Sequence, residues 1–275
     1  MPPFVRNWAP ISPPHDRRPL AVGGFAAIVL VGFLIAPGNV AWKTHVALHG
    51  LCAQRASHSL QIGGATLPMD ARMTGIYLGA AATFIWLIAA RRLRATRVPA
   101  VPVLSLLASF VVALAVDGFN ALLVDLRLPT IYEPSNILRL ATGVLAGTSL
   151  GVVLGHLFAS SMWARGDPER AVVTRPVEVL APIGVSIAIA VLMLSDLSIL
   201  YAPFATGLLV AAVGVFWLLA IVVVALVTDR GWSCRTASDL APLALTSLIA
   251  AIVTVGALSG LRFAAEQLFG LPRLT

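Results

Sequence analysis

The sequence predicts an all-α protein, a polytopic bundle of about seven transmembrane helices. Apolar residues make up 59% of the chain and charged residues only 11%, whereas soluble domains hold roughly 25% charged residues. Mean hydropathy is +0.92, and apolar residues gather in runs long enough to cross about 30 Å of hydrocarbon. The alternating pattern of a membrane β-barrel is absent. Together these observations place the chain in a membrane.

Seven apolar segments are predicted to span the bilayer, because each can satisfy its backbone hydrogen bonds as a helix. The first is expected to be retained, since its charged flank is long and no small-residue cleavage site precedes a polar start. Tyr201-Ala202-Pro203 is expected to form a tight turn between the fifth and sixth segments. The predicted spans are 20–37, 73–90, 100–117, 137–160, 179–201, 204–228 and 239–261.

The distribution of basic residues predicts which end of each span faces the cytoplasm. With the N-terminus inside, twelve of the nineteen Lys and Arg residues fall on the inner side, and the cluster RRLRATR follows the second span. We therefore predict an N-in, C-out topology. It divides the chain into a cytoplasmic tail (1–19), a four-span domain (20–160) with an outer loop (38–72), a cytoplasmic linker (161–178) and a three-span extension (179–275).

The net charge of +7 is explained by this topology. Nucleic acid is not an expected partner, because no basic stripe with aromatic or groove-entering elements is visible. The lipid bilayer is the expected partner, with attraction to anionic lipid as a side effect. The two cysteines, Cys52 and Cys234, fall on opposite sides of the membrane in this topology, so no disulfide is expected between them.

The outer loop opens with an amphipathic stretch that carries candidate metal ligands. His45, His49 and Cys52 fall at i, i+4 and i+7 on one helical face, and His58 follows. Imidazole and thiolate suit zinc, copper or iron, so a metal ion is one interpretation. No full set of four ligands at an established spacing is present. We therefore expect these side chains to pack the helix onto the bundle, and no cofactor is predicted.

Polar residues at the outer ends of spans two to four form a second candidate site. Asp117 and Asn120 share a face of span three, and Asn136 and Arg139 share a face of span four. An acid this close to hydrocarbon is costly unless it is paired, so Arg139 is the expected partner of Asp117, and Arg72 could join them. A buried clamp that fixes three helices is the favoured interpretation. A pocket for a headgroup, quinone or small solute is the alternative.

Glycines recur every four positions in spans two and four. This spacing lets helix backbones approach closely where no hydrophobic force acts between them. Span two is the expected partner of the strip in span four, although the strip could also receive another subunit. The glycines are Gly75 and Gly79 in span two, and Gly143, Gly147, Gly151 and Gly155 in span four.

No active site is predicted. Gly63-Gly64 is not followed by the Lys-Ser/Thr of a phosphate-binding loop, and no nucleophile elbow surrounds the serines beside His58. His156 and Asp196 are isolated within their spans, so they do not form an ion path.

Six short blocks occur in order within roughly residues 40–158. They are Leu51-Cys52-x-Gln54-Arg55, Ser57-x-Ser59-Leu60, Leu67-Pro68, Ala71-Arg72-x-Thr74-Gly75-Ile76-Tyr77-Leu78-Gly79, Asp117-Gly118 and Ser135-Asn136-x-x-Arg139-x-x-Thr142-Gly143. This set resembles the bacterial domain of unknown function 2085 family. The resemblance implies a small polytopic membrane protein without an established activity, and the last three spans look like an extension.

The chain departs from that family at the positions with ligand chemistry. The family pattern has a Cys-His-Gln element and a Cys-Ala-Arg-Cys element, which together suggest a metal or redox site. By position these elements fall on Cys52-Ala53-Gln54 and Asp70-Ala71-Arg72-Met73. One cysteine remains, alanine replaces the histidine, and Asp70 and Met73 occupy the other two positions. The resemblance therefore implies a retained scaffold that has lost most of its ligands.

These observations favour a non-catalytic, multi-pass protein of the bacterial inner (plasma) membrane. We expect an accessory or scaffolding subunit that associates with other membrane subunits, and a respiratory or photosynthetic electron-transfer complex is a candidate host. One alternative is a ligand-binding, lipid-binding or transport protein that uses the arginine–aspartate pocket. Another is a metal-binding membrane protein that uses the histidines and Cys52.

Overall fold

The structure, a computed structural model, describes residues 18–270 as a bundle of α-helices with a small two-stranded sheet at each end. Seven segments of this part are long and apolar enough to cross a membrane, which confirms the predicted all-α, seven-span fold. Most of the predicted tail 1–19 lies outside the described residues. The helices are α1 (Arg18–Ile35), α2 (Val40–Leu48), α3 (Ala71–Ala89), α4 (Val101–Asp125), α5 (Asn136–Met162), α6 (Leu180–Met193), α7 (Tyr201–Val227) and α8 (Ala237–Leu268).

The two sheets mark the two ends of the bundle. β1 (Ser59–Ile62) and β2 (Ala65–Asp70) form an antiparallel hairpin at what we call the hairpin end. Its turn is Gly63-Gly64, where φ is +59° and +75°, the left-handed conformation that two-residue hairpin turns require. β3 (Ala95–Arg97) and β4 (Asp167–Ala171) pair in parallel at the opposite end. The predicted topology would put the hairpin end outside.

Close packing of α3 against α5 forms the centre of the bundle. A Cβ atom added at any of six glycines would lie less than 3.0 Å from an atom of the facing helix. At Gly75, Gly79, Gly143 and Gly147 that atom belongs to the backbone, so only glycine permits the approach there. The packing brings the first turns of α3 and α5 side by side at the hairpin end. The six glycines are Gly75 and Gly79 in α3, and Gly143, Gly147, Gly151 and Gly155 in α5.

Helix α2 covers the end of α1. Lys43 is 6% exposed, and its Nζ donates to the carbonyl oxygens of Phe33, Leu34 and Ala36 at 2.8, 2.9 and 2.9 Å. The last carbonyls of a helix have no partner within that helix, so Lys43 satisfies them. This contact anchors the start of residues 38–72, which keep the name outer loop from their predicted side, on the first span.

Two helices run further toward the hairpin end than the apolar runs predicted. α4 continues to Asp125 rather than 117, and α8 continues to Leu268 rather than 261. The additional turns carry acids that are paired with arginines: Asp125 with Arg55, and Glu266 with Arg262. Hydropathy alone ends each helix before these charged turns. The charged residues can continue the helix beside the hydrocarbon because each is paired with a residue of opposite charge.

The turn between α6 and α7 lies earlier than predicted. α6 ends at Met193 and Tyr201 begins α7, so the turn expected at 201–203 was placed wrongly. Pro203 fits the first turn of α7, because a helix does not use the N–H groups of its first residues. The chain reverses direction between α6 and α7 in a segment that includes Asp196. This residue has a φ of 56° and accepts a hydrogen bond from the backbone N–H of Gly63 at 2.6 Å.

Candidate functional site

An ion pair joins α3 and α4 at the hairpin end. Nη2 and Nε of Arg72 lie 2.5 and 3.1 Å from Oδ2 of Asp117, whose side chain is 2% exposed. The hydroxyl of Tyr132 donates to the other carboxylate oxygen at 3.0 Å, and burial together with this bond raises the pKa of Tyr132. An arginine that donates twice to a carboxylate fixes orientation as well as distance. The pair therefore holds α3, α4 and the following loop together.

Asn120, one turn beyond Asp117, fixes the same loop. Its Oδ1 accepts from the backbone N–H of Ile131 at 2.8 Å, and its Nδ2 donates to the carbonyl of Tyr132 at 2.9 Å. The side chain is fully buried, so these bonds satisfy an amide that would otherwise be costly to bury. Asn120 thereby holds Tyr132 where its hydroxyl reaches Asp117.

Arg139 is not the partner of Asp117 that the sequence predicted. Nη1 of Arg139 donates to Oδ1 of Asn136 at 2.9 Å, and Nδ2 of Asn136 donates to the carbonyl of Ser57 at 3.1 Å. Asn136 lies three residues earlier on the same helix face and holds the Arg139 guanidinium there. Arg72 takes the predicted place of Arg139 beside Asp117.

A polar cavity of about 240 Å³ opens beside this clamp. Its walls come from the outer loop, the first turns of α3 and α5, and the last turns of α4. The apolar part of the wall is formed by Ala53 of the outer loop and by small or aliphatic residues of α4, among them Gly118 and Leu122. The polar residues that line it are Arg55, His58, Asp70, Arg72, Asp125 and Arg139.

The charges around this cavity favour a neutral imidazole at His58. Burial lowers the pKa of His58, and the positive charges of Arg139 and Arg55 lower it further. The carboxylates of Asp125 and Asp70 oppose this shift without reversing it. Asp125 lies 3.1 Å from Arg55, which offsets part of its charge. The surroundings of His58 are therefore electropositive.

Cys52 and Asp70, which fall on the ligand positions of the resemblance, are in contact. Sγ of Cys52 donates to Oδ2 of Asp70 at 3.4 Å and accepts from the N–H groups of Asp70 and Gln54. Burial and the Asp70 carboxylate raise the pKa of the Cys52 thiol from 9.0 to about 11, so the thiolate needed for nucleophilic attack is scarce. Asp70 also caps α3 by accepting from the N–H of Met73 at 2.7 Å. Cys52 and Cys234 are both free thiols.

A second polar cluster, which sequence motifs did not indicate, joins the end of α8 to the outer loop. Nε2 of His49 lies 2.9 Å from Oε1 of Glu266, and Nδ1 lies 3.1 Å from Oε1 of Gln54. Arg262 donates to Glu266 at 2.9 Å and to the carbonyls of His49 and Cys52. The i, i+4 pair of Arg262 and Glu266 directly after the last apolar run indicates a polar continuation of α8, but it does not indicate which residues that continuation contacts.

The four side chains considered as metal ligands point to different partners. α2 ends at Leu48, so the expected face through His45, His49 and Cys52 is not one continuous helix. His45 bonds its own helix, His49 contacts Glu266, and His58 lines the polar cavity. Within residues 18–270, no group of three or more His, Cys, Asp or Glu side chains is placed to hold a metal ion.

A larger cavity of about 690 Å³ lies between α3, α5 and α7, and Leu34 of α1 also lines it. Apolar side chains such as Phe84, Leu154 and Leu218 line it, and no charged side chain does. It suits hydrocarbon, but it offers no charged group to recognise a particular ligand.

Residues 52–154 match the model of a family described as a predicted membrane protein (DUF2085). The match confirms the resemblance drawn from the sequence blocks, and it contains the β1–β2 hairpin, α3, α4 and most of α5. It covers less than half of the chain and ends before α6, α7 and α8. No curated protein and no solved structure gives a significant match.

Proposed function

We propose that this multi-pass membrane protein is a non-catalytic accessory or scaffolding subunit of a larger bacterial assembly in the inner membrane. The observation that supports this proposal is that acids and bases at the hairpin end bind one another between separate elements of the structure. Asp117 binds Arg72 between two helices, and Glu266 binds His49 and Arg262 between α8 and the outer loop. Groups engaged in this way hold the helices and the outer loop in place.

The thiol that could act as a nucleophile is also engaged. Cys52 is 5% exposed, and its raised pKa keeps it protonated near neutral pH. Since a thiolate performs nucleophilic attack, the arrangement favours a structural role for this side chain.

Outward-facing apolar surface gives the proposed subunit a place to meet neighbours. α1 has no buried residue, and α4 buries four. Val112, Val116 and Phe119 of α4 are 59%, 45% and 57% exposed, and their i, i+4, i+7 spacing places them on one helix face. In a membrane such faces contact either lipid or another transmembrane helix. The subunit proposal assigns part of them to other membrane proteins.

Co-purification from the native membrane tests this proposal. The tagged protein is extracted in mild detergent, and the same fraction is analysed by mass spectrometry and for metal content. A tagged, unrelated seven-span protein expressed at the same level serves as the control. A stoichiometric set of membrane partners is the expected result, and it would show whether a respiratory or photosynthetic complex is the host. Recovery of the protein alone would refute the subunit role, and stoichiometric metal would favour a metal-binding function instead.

A further inference from the structure

Arg139 carries a buried positive charge that the protein does not neutralise directly. The residue is 7% exposed, and its guanidinium donates to the neutral side chain of Asn136. Within residues 18–270, no carboxylate oxygen lies within 4.0 Å of it. The other two arginines of the polar cavity have acids beside them: Asp125 for Arg55 and Asp117 for Arg72. A buried charge without a partner of opposite sign is costly.

The position of Arg139 on its helix makes a second unfavourable contribution to the free energy of the folded state. α5 begins at Asn136, so Arg139 lies in the first turn. The N-terminus of a helix carries partial positive charge and stabilises anions, whereas a cation there is repelled. An anion bound beside Arg139 would relieve both contributions at once.

The cavity gives such an anion access to Arg139. Arg55, Arg72 and Arg139 all line its 240 Å³. Of the acids that also line it, Asp125 is paired with Arg55, and the two oxygens of Asp70 accept from the N–H of Met73 and the thiol of Cys52. The pKa of His58 is lowered first by burial and then by Arg139 and Arg55, whose effects outweigh the opposing effects of Asp125 and Asp70.

We propose that this cavity binds a phosphate group, with Arg139 as its principal ligand and Arg55 and Arg72 in support. The planar fork of an arginine matches the oxygens of a phosphate in a two-point hydrogen bond. The site lies where α3 and α5 begin, which is the level of lipid headgroups for helices that span a membrane.

The phosphate can come from solution or from a lipid. Leu122 of α4 lines the cavity and is 49% exposed, so the site borders the apolar outer face of that helix. A lipid headgroup could enter there with its acyl chains on the outside of α4, whereas free phosphate would enter from the aqueous side. The two sources share the same ligand chemistry.

Thermal unfolding of the full-length protein in dodecyl maltoside, a detergent without phosphate, tests the site. In one arm, inorganic phosphate is added at increasing concentrations, and sodium chloride of the same ionic strength is the control. In the other, the micelles contain phosphatidylglycerol or, as the control, diacylglycerol, which lacks the phosphate. The expected result is a saturable rise in the unfolding midpoint with phosphate, with phosphatidylglycerol, or with both. A response in the first arm identifies free phosphate, and a response in the second alone identifies a lipid headgroup.

Two substitutions locate the effect. Arg139→Gln removes the charge but keeps a donor for Asn136, and it should weaken the apparent affinity by about tenfold or more, since a charge-assisted hydrogen bond is lost. The matched control is Arg127→Gln, which removes an exposed arginine of the turn after α4 and should leave the response unchanged. Equal responses in the two variants would overturn the proposal, as would the absence of any response in the wild-type protein.

A third substitution keeps the test decisive if Arg139→Gln does not fold. His58→Glu places a carboxylate inside the cavity, close to the positive charges of Arg139 and Arg55. It should raise the unfolding midpoint of the protein without ligand and remove the response to phosphate. A lowered midpoint combined with an unchanged phosphate response would contradict the site.

Discussion

The ion pair between Arg72 and Asp117 makes the strongest prediction about stability. Breaking a buried ion pair by removing one partner typically costs about 3–5 kcal/mol. The side chain of Asp117 is 2% exposed and that of Arg72 is 25% exposed, so the two single substitutions are not equivalent. Arg72→Ala leaves a buried carboxylate and should cost about 4–5 kcal/mol. Asp117→Ala leaves a partly hydrated guanidinium and should cost nearer to 3 kcal/mol.

A double-mutant cycle measures the pair itself. The unfolding free energies of the wild type, both single variants and the double variant are measured in mixed detergent micelles by circular dichroism. Because the double variant leaves neither charge unpaired, its loss should be smaller than the sum of the single losses by about 1.5–3 kcal/mol. The control is the exposed pair Arg55–Asp125, with side chains 43% and 47% exposed, where about 0.2–1 kcal/mol is expected. Additive losses at Arg72 and Asp117 would refute the clamp.

Three further predictions follow from the packing and the polar clusters. Gly147→Ala should destabilise the protein by about 1–2 kcal/mol, because the added Cβ meets backbone atoms of α3. The control is Gly256→Ala, which should be neutral or stabilising because no atom lies within 4 Å of the added Cβ. Equal effects of the two substitutions in thermal unfolding would contradict the α3–α5 packing. The Cys52 thiol, whose pKa is raised from 9.0 to about 11, stabilises the folded state below pH 9, and this contribution is lost as the pH rises toward 11. The unfolding midpoint should therefore fall more steeply over that interval than in Cys52→Ser, and parallel profiles would argue against a protonated buried thiol. Glu266→Gln should loosen the outer loop and speed maleimide labelling of Cys52, while Glu178→Gln at the opposite end should not; equal labelling rates would show that α8 does not hold the loop.

The number and character of the spans could be predicted because hydrocarbon imposes long apolar helices on any chain that crosses it. The spacing of the α5 glycines likewise indicated span two as their partner, and the structure places them against α3. The ends of the helices were less predictable. Hydropathy marks Asp117 as the end of a span, but the helix continues to Asp125 because Asp117 is paired with Arg72.

The sequence predicted the core members of the polar site but paired them wrongly, and it missed Tyr132, which donates to Asp117, and Asp125, which lines the cavity. Arg72, Asp117 and Arg139 do lie at one end of the bundle, as helix direction requires. Which arginine meets the acid depends on a side-chain contact, and Asn136 settles it by holding Arg139.

The contact between His49 and Glu266 could not be found from local patterns. The two residues are 217 positions apart, and nothing in the sequence near either one specifies that α8 ends against the outer loop. Local periodicity describes which face of a helix is apolar, whereas the neighbour of its polar end depends on the arrangement of the whole bundle.

In-cell photocross-linking tests the proposed subunit role most directly. A benzophenone amino acid is introduced at Ile28 of α1 and at Val112 and Phe119 of α4, all of which are more than half exposed. The control position is Leu107 on α4, which is 5% exposed and should react only within the chain. The subunit role predicts a discrete adduct with another membrane protein from at least one outward position and none from Leu107. Adducts with lipid alone at every outward position would contradict it.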